Sequence, residues 1–418
     1  MLPDHSSCIA ARTQRDKRLS GVVFIGAGNR FCVPQCSRRV PAVARMHFFA
    51  SAAAALAAGF LPCKRCEPLY APRLPDWRIS SRLVVRTVRA IERGDLRKGS
   101  LAQLARRLHA SPTDIARQFV DELGVSPKVF AQTCQRHIQD QLRASTGEKL
   151  LQLVLPVREP FDASWVFAFL DKRSLPGLEE ASGFCYRRRF GAHWVTVRYV
   201  PGETQLRIEL PRGLRGQSQW LLRRIAHVFD IHADSQVIDD ALQSEPRLGA
   251  CVTGGIRVPG AWDGFETAVR AILGQQVSVA RARNLAIDLM QRFGSTGFPT
   301  PLELVEADVS AVGMPGLRGE AVRQLAGAVL GGAVQLNETA DPETQFDTLC
   351  GLPGIGPWTA GYIAMRTAGD ANAFPRADWV VLKQLGMTAG AAQRYSLVWA
   401  PFRAYALMYL WQDSQRQG

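Results

Sequence analysis

No run of about 18 apolar residues occurs in the sequence, so nothing in it has the length of a membrane-crossing helix. The alanine-rich stretch Ser51 to Gly59 is too short, and the first residues lack the charged-then-apolar layout of an export signal. Acidic residues are comparatively few: 37 Asp and Glu stand against 51 Lys and Arg, a net charge of +14. That excess argues against a basic partner and for a polyanion, either nucleic acid or an anionic surface. Disulfide logic is missing as well. Nine cysteines cannot all pair, and four of them sit at metal-ligand spacings, which favours a reducing cytoplasm over a secreted framework. Apolar residues are not scarce, since 47% hydrophobic composition over 418 residues supports roughly two to four domains with real cores.

The chain is organised around Leu352-Pro353-Gly354-Ile355-Gly356-Pro357-Trp358-Thr359-Ala360, with Asp378 eighteen residues further on. Two glycines one residue apart after a proline make a turn that a Cβ-bearing backbone resists. Glu343 to Leu349 reads as a short helix before it and Thr359 to Arg366 as another after it. A helix start at a glycine turn offers free N–H groups to a phosphate, although the turn by itself also suits a plain helix connector. Asp378 precedes Trp379-Val380-Val381-Leu382 and makes a good helix N-cap. Trp358 and Tyr362 share a helix face, a spacing that serves a core as readily as a binding wall.

These residues resemble the helix-hairpin-helix signature of the DNA glycosylase superfamily. Val269-Arg270-Ala271-Ile272-Leu273-Gly274-Gln275-Gln276-Val277-Ser278-Val279-Ala280, Gly313-Met314-Pro315-Gly316 and Trp399-Ala400-Pro401-Phe402-Arg403-Ala404-Tyr405-Ala406 are similar to the AlkA-type 3-methyladenine branch. The likeness runs in order from about Leu153 to Trp411. It implies Asp378 as the catalytic carboxylate and Trp358, Tyr362 and Trp411 as the aromatic wall for an extruded base. It puts Gln275 and Gln276 at the substrate and DNA face, and Gly354, Gly356 and Thr359 at the DNA backbone. A monovalent cation held by hairpin carbonyls is also implied. In relatives that cut the strand, a lysine precedes the Thr-Ala pair. Here Trp358 stands there, and an indole cannot form a Schiff base, so base removal without strand cleavage is expected.

Near the start, Cys32-x3-Cys36 and Cys63-x2-Cys66 supply four thiolates in two close pairs, a tetrahedral zinc signal. Phe31-Cys32-Val33-Pro34-Gln35-Cys36, Phe48-Phe49-Ala50 and Ala57-Ala58-Gly59-Phe60-Leu61-Pro62-Cys63-Lys64-Arg65-Cys66 resemble the zinc domain of Ada-type methyl phosphotriester repair proteins. That resemblance implies Cys32 as the methyl acceptor. Val33 and Leu61 occupy positions where the family carries arginine, and Gly28-Asn29-Arg30 replaces its Thr-Thr-Gly. Cys134 and Cys350 lack the Pro-Cys-His-Arg setting of a second acceptor.

Pro72 and Pro75 mark a linker. From Trp77 to about Ser145 the pattern is helical. Ser100 caps a helix bearing Leu101, Leu104, Ala105 and Leu108, Ser111-Pro112 opens a second with Ile115 and Phe119 inward, and Ser126-Pro127 opens a third. With Gly124-x-Ser126-Pro127 this resembles one helix-turn-helix of AraC-type regulators. It implies Arg117 and Gln118 as DNA contacts, where a plain three-helix bundle is the alternative.

Next, Phe161 to Leu170 is an amphipathic helix, with Phe169 either core or pocket. Trp194 to Val200 and Leu206 to Leu210 alternate as strands about Pro201-Gly202, and Trp220 to Phe229 is helical. Phe265 to Phe293 is helical apart from a break at Gly274-Gln275-Gln276.

The expected architecture is therefore multidomain and mainly α with a small α+β part. It comprises an Ada-like zinc domain (1–72), one AraC-like helix-turn-helix (73–148), a TBP-like AlkA N-terminal α+β domain (149–235) and an all-α helix-hairpin-helix glycosylase domain (236–418). The expected activity is hydrolysis of the N-glycosidic bond of alkylated purines in double-stranded DNA. The expected setting is a cytoplasmic, nucleoid-associated monomer with Zn²⁺, no organic cofactor and no membrane partner. The alternatives are a methylation-responsive AraC-type regulator with a vestigial glycosylase fold, and a non-enzymatic binder of damaged DNA.

Overall fold

Alternating apolar residues produce the antiparallel strands His193–Tyr199 and Gln205–Pro211, with Val197 opposite Ile208. The computed structural model describes residues 2–417 other than 72, 74, 75, 98, 146 and 148, with the side chains of 77 and 417 also set aside. The linker expected at Pro72 and Pro75 thus falls outside the described residues.

Three more strands complete this sheet in the order Leu150–Pro156, Gln205–Pro211, His193–Tyr199, Cys185–Phe190, Glu179–Ser182. One face carries Leu151, Leu153, Val195, Val197, Leu206, Ile208 and Leu210, all buried, against the helices Ala163–Asp171 and Ser218–Val228. Each such side chain contributes roughly 1.5–3 kcal/mol by leaving water. The same core continues into Leu407, Met408 and Leu410 of the helix Arg403–Gln417. A second core, with Val269, Ile272, Leu285, Val322, Leu325, Ile355 and Ile363, holds the all-α lobe. Tyr362 packs against both, so the wall of the expected pocket lies at their seam.

Charges bind this seam. Arg188 on the sheet meets Glu266 on the helix Gly264–Leu273. Arg270 lies 2.8 Å from both Glu179 and Glu266, and the Tyr186 hydroxyl donates to Glu179 at 2.9 Å. Buried ions of this kind persist because each finds a partner, and removing one partner typically costs about 3–5 kcal/mol.

The N-terminal module adds a sheet in the order His47–Phe49, Phe24–Ala27, Arg30–Cys32, Leu61–Pro62, the last pair parallel. The alanine-rich stretch forms the helix Ala52–Ala57, whose cap Ser51 also donates to the Leu123 carbonyl at 2.8 Å. The three expected helices are Leu101–Arg107, Pro112–Leu123 and Pro127–Ala144. The helix Arg82–Arg93 precedes them and buries Val84, Val88 and Ile91 among them. Arg82, Arg86 and Arg89 turn the other way, toward the all-α lobe. Arg86 donates to the Thr339 carbonyl at 2.7 Å. Arg89 reaches the carbonyls of Glu338, Ala368 and Gly369. The two halves are therefore tied through backbone oxygens at the end of the helix Pro357–Thr367.

Candidate functional site

The helices Pro342–Cys350 and Pro357–Thr367 flank the glycine turn as expected. Gly354 is exposed at φ +81°, and a Cβ there would come within 2.7 Å of the Ala321 Cβ on the helix Gly316–Leu330. Gly356 is the N-cap and supplies no side-chain cap, so the first N–H groups of the helix start at an open glycine. Gly354→Ala is expected to lower stability by roughly 1–3 kcal/mol through strain at a left-handed position. Thermal melts should record that loss, and anisotropy titration with damaged duplex should show weakened binding.

Gly361 on the same helix has a structural purpose that the sequence did not advertise. A Cβ there would meet Pro375 at 3.1 Å, so glycine lets the segment leading to Asp378 cross the helix closely. Ala377 is then held at φ +61°, a costly conformation one residue before the carboxylate.

Asp378 is 5% exposed and caps the helix Trp379–Leu385, accepting from the Val381 N–H at 3.1 Å. The Trp358 indole donates to its Oδ2 at 2.9 Å and the Trp411 indole to its Oδ1 at 3.1 Å. Three donors from three segments fix the carboxylate plane. Tyr362 stacks on Trp358 with ring centres 5.5 Å apart and planes 6° from parallel, and Trp411 lies 6.3 Å from Tyr362. One carboxylate and three aromatic rings are thus brought together, from positions 358, 362, 378 and 411.

Beneath the rings, Arg366 donates to the Tyr362 hydroxyl at 2.6 Å. Burial pushes the Tyr362 phenol up, but Arg366, Arg173 and Arg270 more than offset this, so its pKa falls below the ordinary tyrosine value. Phe169 is buried, with the guanidinium of Arg173 3.7 Å and that of Arg366 4.8 Å from its ring centre. It is a core residue.

Some expected contacts turn inward instead. The Gln275 amide donates to the Gly354 carbonyl at 2.9 Å and to Thr359 Oγ1 at 3.0 Å, and Thr359 is 3% exposed. This pair braces the hairpin because the break after Leu273 aims residue 275 across the turn. Gln276 is exposed at φ +54°, and the two bonds of that brace come from Gln275. Gln118 is also inward, accepting from the Ser81 hydroxyl at 2.5 Å, since it shares a helix edge with buried Ile115 and Glu122. Arg117 remains exposed, 3.2 Å from Asp114. Two exposed apolar side chains near the site were not anticipated: Trp379 at 70% and Leu317 at 85%. Helical period was the available signal for Trp379, because burial of Val381 and Leu385 turns position 379 outward.

The four cysteine sulfurs of Cys32, Cys36, Cys63 and Cys66 lie within 4.8 Å of one another. A tetrahedral zinc with bonds of about 2.3 Å needs sulfurs about 3.8 Å apart, so the cluster fits that ion with small adjustment. Cys36 and Cys63 are buried, whereas Cys32 and Cys66 are partly exposed. Arg12, 2% exposed, locks the first cysteine loop by donating to the Pro34, Cys36 and Arg38 carbonyls at 3.0, 2.9 and 2.8 Å. Val33 is buried, whereas Leu61 is 52% exposed and Gly28 and Asn29 are also exposed, so of the departures from the Ada pattern Val33 alone leaves the surface unchanged.

Comparison with known proteins agrees with this geometry. The metal binding domain of Ada matches residues 7–68 and the AlkA N-terminal domain matches residues 152–263. The DNA-3-methyladenine glycosylase 2 of Escherichia coli is 36% identical over 268 residues, covering 60% of this chain and 94% of its own. The chain belongs to the DNA-3-methyladenine glycosylase family. A probable bifunctional transcriptional activator/DNA repair enzyme AlkA of Mycobacterium tuberculosis is 29% identical to this glycosylase over 98% of the chain and 97% of its own length. The glycosylase also shares its fold with the 3-methyladenine DNA glycosylase of Archaeoglobus fulgidus, at TM-score 0.52 and 18% identity. That match covers 62% of this chain and 96% of the other. It is a DNA repair glycosylase fused to an Ada-like zinc module.

Proposed function

We propose that the enzyme excises N3- and N7-alkylated purines, of the 3-methyladenine and 7-methylguanine type, from double-stranded DNA after extruding the nucleotide. The observation that carries this reading is the Asp378 carboxylate held by the Trp358 and Trp411 indoles beside Tyr362. An alkylated purine is already cationic and leaves as a neutral base, so one of the two carboxylates of ordinary glycoside hydrolysis is dispensable. Asp378 stabilises the oxocarbenium character at the sugar and orients the attacking water. Stacking on the aromatic wall favours an electron-poor base. Gly354 and Gly356 receive a DNA phosphate, with a monovalent cation at the hairpin carbonyls. Gln276, exposed and in a left-handed conformation, fills the gap in the duplex.

In the N-terminal module, Cys32, Cys36, Cys63 and Cys66 hold Zn²⁺, which keeps the thiolates deprotonated. The Cys32 sulfur attacks the methyl carbon of a phosphotriester, forming the S–C bond as the O–C bond breaks and leaving an ordinary phosphodiester. Arg117 contributes a backbone contact. Only five residues separate the helix ending at Ala144 from the strand starting at Leu150. That leaves no length for a second helix-turn-helix, so operator recognition is not part of this reading. We assign the domains as 1–72, 73–148, 149–235 and 236–418, in a monomer acting on cytoplasmic DNA.

Incubation with 7-methylguanine-containing duplex should release free base and leave an intact abasic strand. Borohydride trapping of a protein–DNA adduct would overturn the hydrolytic assignment. For the first module, labelled methyl should move from phosphotriester DNA to the wild-type protein. A Cys32→Ser variant that takes up equal label would reject Cys32 as acceptor.

A further inference from the structure

The seam beneath the aromatic wall holds more buried cations than anions. Arg173, Arg188, Arg270 and Arg366 meet there, and among the described residues the ion pairs of this cluster join Arg188 and Arg270 to Glu179 and Glu266. Arg366 instead gives one N–H to the Tyr362 hydroxyl at 2.6 Å and another to the Gly260 carbonyl at 3.0 Å. Arg173 lies over Phe169, donates to the Phe169 carbonyl at 3.2 Å, and its charge also acts on the same phenol from the opposite domain. The charged groups facing Tyr362 are therefore Arg366 on its own helix, Arg173 after the helix Ala163–Asp171, and Arg270 on the helix Gly264–Leu273. Glu179 and Glu266 stand behind Arg270, and Asp378 lies across Trp358.

We propose that Tyr362 works as a phenolate–guanidinium pair with Arg366 and Arg173, and that this pair sets the preference for cationic over neutral leaving bases. The inference deepens the excision reading and rests on it. With the phenol protonated, four guanidiniums against Glu179, Glu266 and Asp378 leave a net charge of +1 around the base, which works against a cation. Loss of the phenolic proton to solvent brings that to zero and makes the stacked ring electron-rich, so attraction to a cation grows. A neutral base such as hypoxanthine gains much less from either change. Arg366 and Arg173 are positioning residues here, acting through Tyr362.

Two readouts test the proposal. In a near-ultraviolet absorbance titration of the full chain, one tyrosine should ionise ahead of the rest and be absent in Tyr362→Phe. Tyr70, Tyr186, Tyr395, Tyr405 and Tyr409 are all pushed the other way, which keeps the signal separable. Arg366→Met should move that ionisation upward, whereas Arg366→Lys should largely restore it. In single-turnover release assays, the ratio of 3-methyladenine to hypoxanthine excision should rise with pH across the same ionisation, since the 3-methyladenine nucleoside stays cationic throughout. Tyr362→Phe should flatten that rise and cut the ratio about tenfold at its upper end. No early-ionising tyrosine, or an unchanged ratio in an active Tyr362→Phe protein, overturns the inference. Failure of the wild type to release either base would fall on the excision reading instead, and the absorbance titration would still decide whether the pair exists.

Discussion

Asp378→Asn is expected to leave a folded protein that binds methylated duplex but releases base at least about 10²–10³-fold more slowly. Asparagine caps a helix as well as aspartate does, so Trp379–Leu385 keeps its start and the bond from the Val381 N–H survives. What disappears is the negative charge opposite the developing oxocarbenium ion. A second consequence follows from the indoles. The carboxamide has one oxygen, and the oxygen that keeps the Val381 N–H also keeps Trp411, so Trp358 faces an NH₂ group and loses its acceptor. An unmade buried bond costs about 1–3 kcal/mol, which should register as a lowered melting temperature. Single-turnover release and gel-shift affinity separate the two effects. Wild-type release rates in Asp378→Asn would remove the carboxylate from the mechanism.

Cys36→Ser, or exhaustive chelation, is expected to unfold the N-terminal module while base release persists. The module's own inner cluster is small, built on Phe24, Phe31, Val33 and Ala55. A core of that size does not offset the entropy of ordering the chain, and a structural zinc contributes on the order of 10 kcal/mol toward folding. Cys36 is buried at 2% exposure, so a serine there loses a ligand without gaining a solvent partner. The cores around Asp378 contain none of the four cysteines. A metal assay should fall from about one zinc per chain to none, and a separate low-temperature transition should open in calorimetry. Metal-free protein with an unchanged melting profile would refute a structural role for the cluster.

Periodic signals carried most of the fold. The hairpin helices were expected at Glu343–Leu349 and Thr359–Arg366 and run Pro342–Cys350 and Pro357–Thr367. Asp378 is legible as an N-cap from the apolar run that follows it, and that cap is observed; its catalytic role came only with the family resemblance. Polar partners chosen across the fold were not legible. Gln275 looks like any surface glutamine until the turn comes round to meet it. Arg188, the middle of three consecutive arginines, lies on the strand Cys185–Phe190 and is buried on Glu266, a pairing that no local pattern signals. On the helix Arg82–Arg93, Arg86 and Arg89 are consumed internally. Net charge therefore overstates what is available to a polyanion.

Arg89, paired with Asp76 on its own side, also reaches across to the hairpin helix. It lies against the trailing carbonyls of Ala368 and Gly369, at the negative end of the helix whose leading end opens at Gly356. A side chain from the Ada-like half thus answers, eleven residues away, the same axial dipole that greets phosphate at the hairpin. Expressed alone, the C-terminal half would present those oxygens to water, and its hairpin helix would be short of a counter-ion that the fused chain carries permanently.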